Sequence, residues 1–197
     1  MFGKGGMFHM KRCSWVKLTN PLYIAYHDHE WGHPLHDERA LFELLCLETY
    51  QAGLSWVTVL NKRQAFKQAF YDYEVERVAS MSNVELEEIL LNPAIIRNRL
   101  KLFATRTNAQ AFLKIQEDYG SFDTYIWKFV GGETIQNQVE DYKTIPSKTL
   151  LSERISKDLK KQGFKFVGPI CVYSFLQAAG LVNDHEIDCD FRIGCLI

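Results

Sequence analysis

Apolar residues recur every three to four positions along most of this chain, and nowhere do they alternate over the length of a strand. That period requires helices packed on helices. Leu41, Leu44, Leu45 and Leu47 mark a helix over 38–51, with Gly53 as its stop. A second helix is predicted over about 55–70. Its Trp56, Leu60 and Phe66 share a face, and Lys62, Arg63 and Lys67 are exposed. Ser82 and Glu85 form a capping-box pair ahead of Leu86, Ile89 and Leu90. A long helix after Pro93 carries Ile96, Leu100, Phe103 and Ala104. A short one over about 122–130 stops at Gly131 and Gly132. Leu151, Ile155 and Leu159 step by four before Gly163, and a last helix spans about 169–180. The polar stretch 133–148 reads as a surface loop. No convincing strand pair, repeat or low-complexity tract is present, so the expectation is an all-α fold.

At 197 residues, the chain suits one domain or a tightly joined pair of lobes. Residues 1–9 are Gly-rich and lack the apolar core of a secretory signal, so they are read as an extension. The domain is expected over 10–191, with a tail over 192–197. No apolar run approaches the roughly 20 residues that span a bilayer. A net charge of -1 provides no global basic field, so any nucleic-acid partner must be held by local patches. The cysteine count is odd, at 5, which argues for reduced thiols in a cytoplasm. Cys46 and Cys171 lie in apolar runs and are expected in the core. Cys13, Cys189 and Cys195 remain, at the two ends of the chain.

Three local patterns carry chemistry. Lys160-Lys161-Gln162-Gly163-Phe164-Lys165-Phe166-Val167-Gly168 joins two helices, with glycines bracketing a short apolar hairpin. Such a turn can bring backbone N–H groups to a phosphate, with Lys161 and Lys165 adding charge. An ordinary glycine-capped turn is the alternative. In the second pattern, His185 and Cys189 stand four apart. With Cys13 and His27 they could close a tetrahedral zinc site. By spacing alone, His29 and Cys195 are rivals, and unrelated surface residues are the plainer reading. In the third, Trp15, Tyr23, Tyr26, Trp31 and Trp56 surround Glu48 in sequence. Rings with one carboxylate suit a flipped, cationic nucleobase. A core of aromatics beside a solvated Glu48 is the bland alternative.

Taken together, these segments resemble the 3-methyladenine DNA glycosylase I family of the helix–hairpin–helix superfamily. The matching stretches are Cys13-Ser14-Trp15, Pro21 to Asp28, Glu30-Trp31-Gly32, Leu47-Glu48, Gln51 to Trp56, Gly163 to Gly168, and Gly180 to His185 with Cys189 behind it. They run collinearly from Cys13 to Cys189. The resemblance implies a two-lobed, all-α fold with a helix–hairpin–helix motif, and a zinc site that ties the termini together. It implies one structural zinc ion on Cys13, His27, His185 and Cys189, and it selects His27 over His29. It implies a base pocket of Glu48, Tyr26 and Trp56, edged by Trp15, Tyr23 and Trp31. Gln51 and Leu54 would fill the gap left by the extruded nucleotide, while Gly53, Gly163, Gly168, Lys161 and Lys165 would contact the DNA.

The implied reaction is monofunctional hydrolysis of the N-glycosidic bond of 3-methyladenine in double-stranded alkylated DNA, with 3-methylguanine as the alternative substrate. Free 3-methyladenine is the product. A monomer in a bacterial cytoplasm is expected. No lysine stands out as a Schiff-base nucleophile. Asp184 and Asp188 follow the hairpin, where superfamily relatives place a catalytic aspartate, but both flank a metal ligand and fit structural roles better. Two rivals remain: a non-catalytic zinc and DNA-binding module, and a zinc hydrolase with an open coordination position.

Overall fold

The computed structural model describes residues 10–192. The extension 1–9 and residues 193–197 of the tail, Cys195 among them, lie outside the described residues. Nine α-helices dominate the described residues. Local caps set where most of them begin. Asn20 accepts from the Leu22 and Tyr23 amides and Pro21 sits in the first turn, starting α1 (Pro21–His29). Asp37 caps α2 (Glu38–Gln51), and Ser55 caps α3 (Trp56–Ala69). The short α4 (Val75–Ala79) precedes α5 (Asn83–Leu91), whose Ser82–Glu85 capping box forms as expected. Asn98 starts α6 (Arg99–Tyr119), and α7 (Phe122–Trp127) runs into a 3-10 turn. Finally come α8 (Leu150–Lys161) and α9 (Pro169–Ala178).

Helix α2 is the hub. Every residue from Leu41 to Tyr50 is buried, because α3, α6, α7 and α9 all pack against it. One continuous apolar core joins the α4–α7 side to the side formed by α8, α9 and the chain ends. Phe112 and Phe122 stack within it at 4.3 Å. Truncating either ring to Ala would cost about 3–5 kcal/mol.

Four expectations need correction, and one needs refinement. A strand pair does exist: β1 (Ile135–Gln136) lies parallel to β2 (Val182–Asn183), with Ile135 opposite Val182. Two-residue strands have no period to read, and their partners are far apart in sequence. The 133–148 stretch lies mostly at the surface, as expected, but is pinned at one point. Val139 is buried and bridges to Glu186. The long helix begins at Arg99, which leaves Ile96 outside it, and Leu100 is 71% exposed. Lys62, Arg63 and Lys67 are half-buried rather than exposed, and Glu43 and Glu30 pair with Arg63 at 2.8 and 2.6 Å. Cys171 is half-buried rather than core and lines a groove. Helix α1 escaped the apolar pattern altogether, because its consecutive Tyr26, His27 and Asp28 are all buried by different neighbours.

Candidate functional site

Helices α1, α2, α3 and α9 enclose a cavity of about 290 Å³. Trp15, Tyr23, Tyr26, Trp31, Glu48, Gln51 and Trp56 line it. The structure thus collects every residue proposed for the base pocket. Trp15 meets Tyr23 and Trp31 edge-on at 5.3 and 5.0 Å, and Tyr26 lies 5.1 Å from Trp56. These edge contacts lock the rings.

Glu48 sits on the buried face of α2 and is 4% exposed. Its Oε2 has no hydrogen-bond partner, and neither has Nε1 of Trp56. Burial pushes the Glu48 carboxyl up to about 8. The Tyr26 hydroxyl is pushed up by burial and then by the negative charge of Glu48, so it stays protonated. The cavity therefore holds an acceptor lacking a donor and a donor lacking an acceptor. Leaving each unsatisfied costs about 1–3 kcal/mol, which a ligand with both functions would recover.

Next to the cavity, Cys13, His27, His185 and Cys189 are all buried, with their donor atoms within 4.8 Å of one another. Cys13 Sγ and Cys189 Sγ lie 3.3 and 3.4 Å from His185 Nδ1, and Cys189 Sγ lies 3.6 Å from His27 Nε2. A tetrahedron with Zn–S of ~2.3 Å and Zn–N of ~2.1 Å has S···N edges of about 3.6 Å, so the set fits a zinc ion. The outward ring nitrogens are tied. His27 Nδ1–H donates to Asp28 at 2.8 Å, and His185 Nε2–H donates to the Trp31 carbonyl at 3.0 Å. Each inner nitrogen thus presents a lone pair. Arg12 in turn grips Asp28 at 2.6 Å. Cys13 is pushed up by its hydrogen bond to Cys189 and by burial, while Cys189 is held low by that bond and by both imidazoles. The two sulfurs thus share one proton, which a cation bound between them would displace. His29 is exposed and takes no part. Gly32 is required here: a Cβ would stand 2.8 Å from the His185 ring.

A second hollow of about 520 Å³ adjoins the cavity and shares Glu48, Gln51 and Ser174 with it. One wall is the turn after α2, with Gly53 at φ +82 and Leu54 41% exposed. The other is the α8–α9 hairpin, which contributes Phe166 and Gly168. Gly163 opens that hairpin at φ +102, and Lys161 and Lys165 are exposed beside it. Gln51, Leu54 and the hairpin thus border one groove that reaches Glu48.

A family model for methyladenine glycosylases matches residues 15–193. The chain belongs to this family. Its relatives include DNA-3-methyladenine glycosylase 1 of Escherichia coli (strain K12), 46% identical over 91% of this chain and 96% of that protein. A crystal structure of 3-methyladenine DNA glycosylase I superposes with a TM-score of 0.88 at 47% identity, covering 91% of this chain and 98% of the other. The Staphylococcus aureus enzyme, solved to explain 3-methyladenine recognition, matches with a TM-score of 0.89 at 44% identity, over 93% and 97% of the two chains. The resemblance seen in the sequence motifs holds at the level of the whole fold.

Within this family member the two aspartates separate clearly. Asp184 is buried and saturated. It accepts from Tyr173 Oη and Gln177 Nε2 at 2.6 Å each, and from Asn137 Nδ2 at 2.7 Å. Asp188 is on the surface, paired with Lys11. Neither lines the cavity. Sequence reasoning missed four lining residues: Tyr142, Ile145, Ser174 and Gln177. Ser174 and Gln177 stand three apart on apolar α9, a legible signal. Tyr142 and Ile145 carried none, because Glu186 brings their segment over by accepting the Tyr142 amide at 3.0 Å. Lys101 was missed as well. Its buried Nζ donates to the Tyr50 and Ala52 carbonyls at 2.9 and 2.7 Å, capping α2 just before Gly53 and Leu54.

Proposed function

We propose that this chain removes 3-methyladenine from alkylated duplex DNA by hydrolysing the bond between the base and its sugar. One observation carries the reading: a buried carboxylate with an unpartnered oxygen inside a cage of rings. Methylation at N3 makes adenine cationic. A cation entering the cavity draws Glu48 back into its ionised form and gains both charge attraction and cation–π contact. The exocyclic amine of adenine supplies the donor that Oε2 lacks, and a ring nitrogen can accept from Trp56. Unmodified adenine brings no charge and so leaves the cost of ionising Glu48 unrepaid.

The lesion is already a good leaving group, so no strong acid is required. The C1′–N9 electron pair goes to the base, which departs neutral. Water then adds to the cationic sugar and loses a proton. The chain contributes extrusion, grip and positioning. Gln51 and Leu54 replace the lost stacking, and Lys161 and Lys165 meet phosphates. No lysine lining the cavity offers a Schiff-base step, so the enzyme is read as monofunctional. Because 3-methylguanine is also cationic, it is the second substrate to assay.

A zinc ion on Cys13, His27, His185 and Cys189 would be structural, since four protein ligands leave no position for water. It would join the two ends of the chain directly behind Trp31. The cavity is complete within one chain, which fits a monomer. No described helix is long and apolar enough to cross a membrane. Repair of chromosomal DNA in a bacterial cytoplasm suits the source of the relatives. The rival reading as a non-catalytic binding module leaves the caged Glu48 without a use.

The test is base release from methylated duplex DNA. Glu48→Gln should lower the rate about 10- to 100-fold, the value of a hydrogen bond to a charged group. Full excision by that variant would refute the reading.

A further inference from the structure

We propose that Phe166, at the tip of the α8–α9 hairpin, is a DNA-contacting residue that packs its ring on the nucleotide flanking the ejected base. This rests on duplex DNA being the substrate.

The backbone of Phe166 is left-handed, at φ +59. Glycine takes that conformation without strain, and a bulky side chain does so rarely. Gly163, three residues earlier, uses glycine for its own. The conformation at Phe166 is enforced from both sides. The buried Asn108 side chain of α6 accepts from the Lys165 amide at 2.7 Å and donates to the Lys165 carbonyl at 3.2 Å. Ser156 of α8 donates to the Val167 carbonyl at 2.6 Å. Two buried polar side chains are thus spent on holding the turn that presents this ring.

The result runs against apolar burial. Phe164 and Val167 are buried, while Phe166 between them is 40% exposed. Its ring is a ridge between two hollows. On one side lies the groove that it shares with Leu54, Gly168 and Ile170. On the other lies a hollow floored by Leu100, Phe103 and Ala104. The first groove adjoins the cavity, and the two share Glu48, Gln51 and Ser174. A DNA strand laid along this groove runs between the Leu54 side and the Phe166 side, with its ejected nucleotide beside Glu48. Extrusion unstacks its neighbour and exposes an apolar face, and an aromatic ring compensates for lost stacking without reading sequence. Exposed Lys165 stands next in the chain, ready for the adjoining phosphate.

The experiment compares Phe166→Gly and Phe166→Asn with wild type in the full chain, since both residues tolerate the left-handed backbone. Three quantities are read: affinity for duplex DNA carrying a tetrahydrofuran abasic analogue, affinity for free 3-methyladenine by tryptophan fluorescence, and the thermal midpoint. Duplex affinity should fall about tenfold in both variants, the size of one lost stacking contact. Free-base affinity should be unchanged, and the midpoint should move by only a few degrees. Wild-type duplex affinity in either folded variant overturns the proposal. So does a matching loss of free-base affinity, or failure of both variants to fold, because the ring would then serve the fold. If the wild type itself ignores the abasic duplex but binds free base, the duplex reading fails along with it.

Discussion

The carboxyl of Glu48 should make the stability of this protein depend on pH in a way that Glu48→Gln abolishes. An ordinary glutamate ionises near 4.5, and burial raises Glu48 to about 8. The folded state therefore holds a proton that the unfolded state has released at any pH between those values. Stability falls as pH rises through that window and is level outside it. The difference, 8 − 4.5 = 3.5, corresponds to about 5 kcal/mol at ~1.36 kcal/mol per unit. Water drawn into the cavity recovers part of this, leaving about 2–5 kcal/mol to be measured. For a chain of this length 1 kcal/mol moves the melting point by roughly 2–4 °C, so the shift is roughly 4–20 °C. Glutamine keeps the shape and cannot ionise. Calorimetric melting at pH 5 and pH 9 should find the two proteins close at the lower pH and Glu48→Gln more stable at the higher. Metal ligands titrate equally in both, so the comparison cancels them. A gap that does not change with pH would refute the argument. Saturating 3-methyladenine should stabilise wild type more than the variant.

Other outcomes follow from the same geometry. Purified protein should carry one zinc per chain. Chelation should lower its melting point by roughly 10 °C or more, with recovery on adding zinc; His27→Ala should lose the metal. A cobalt-substituted sample should show the absorption of a closed tetrahedral site, and an open-site spectrum would count against a structural ion. Lys101→Met strips the cap from α2 and should cost about 1–3 kcal/mol in thermal melting. It should also weaken abasic-duplex binding while sparing free-base affinity, since only the wedge turn is released. Lys161→Ala with Lys165→Ala should weaken binding to all DNA sequences alike. The salt slope should drop by up to about 1.8, at ~0.9 per phosphate contact, and an unchanged slope would remove both lysines from the interface.

Much of this site is legible before folding because its chemistry needs rare residue types. A carboxylate among tryptophans, and a histidine four residues from a cysteine, are conspicuous in any chain. Helix ends are equally readable, since Asp37, Ser55 and Ser82 cap locally through contacts within three residues. What escaped was decided at long range. Tyr142 reaches the cavity only because Glu186, 44 positions away, accepts its amide. Lys101 caps α2 across 51 positions, and no spacing rule links such pairs. Asp184 illustrates the limit from the other direction. In sequence it could have been a catalytic carboxylate, and only three converging donors show that its oxygens are fully engaged.

The chain's own order of residues determined its helices, its ligand types and its aromatic cage, because periodicity, capping and donor chemistry act locally or through composition. Tertiary packing alone decided which carboxylate was left buried with an unpartnered oxygen. It also decided which hairpin ring faces solvent. Both depend on neighbours that arrive from distant segments, and on whether those neighbours bring a hydrogen bond or merely exclude water.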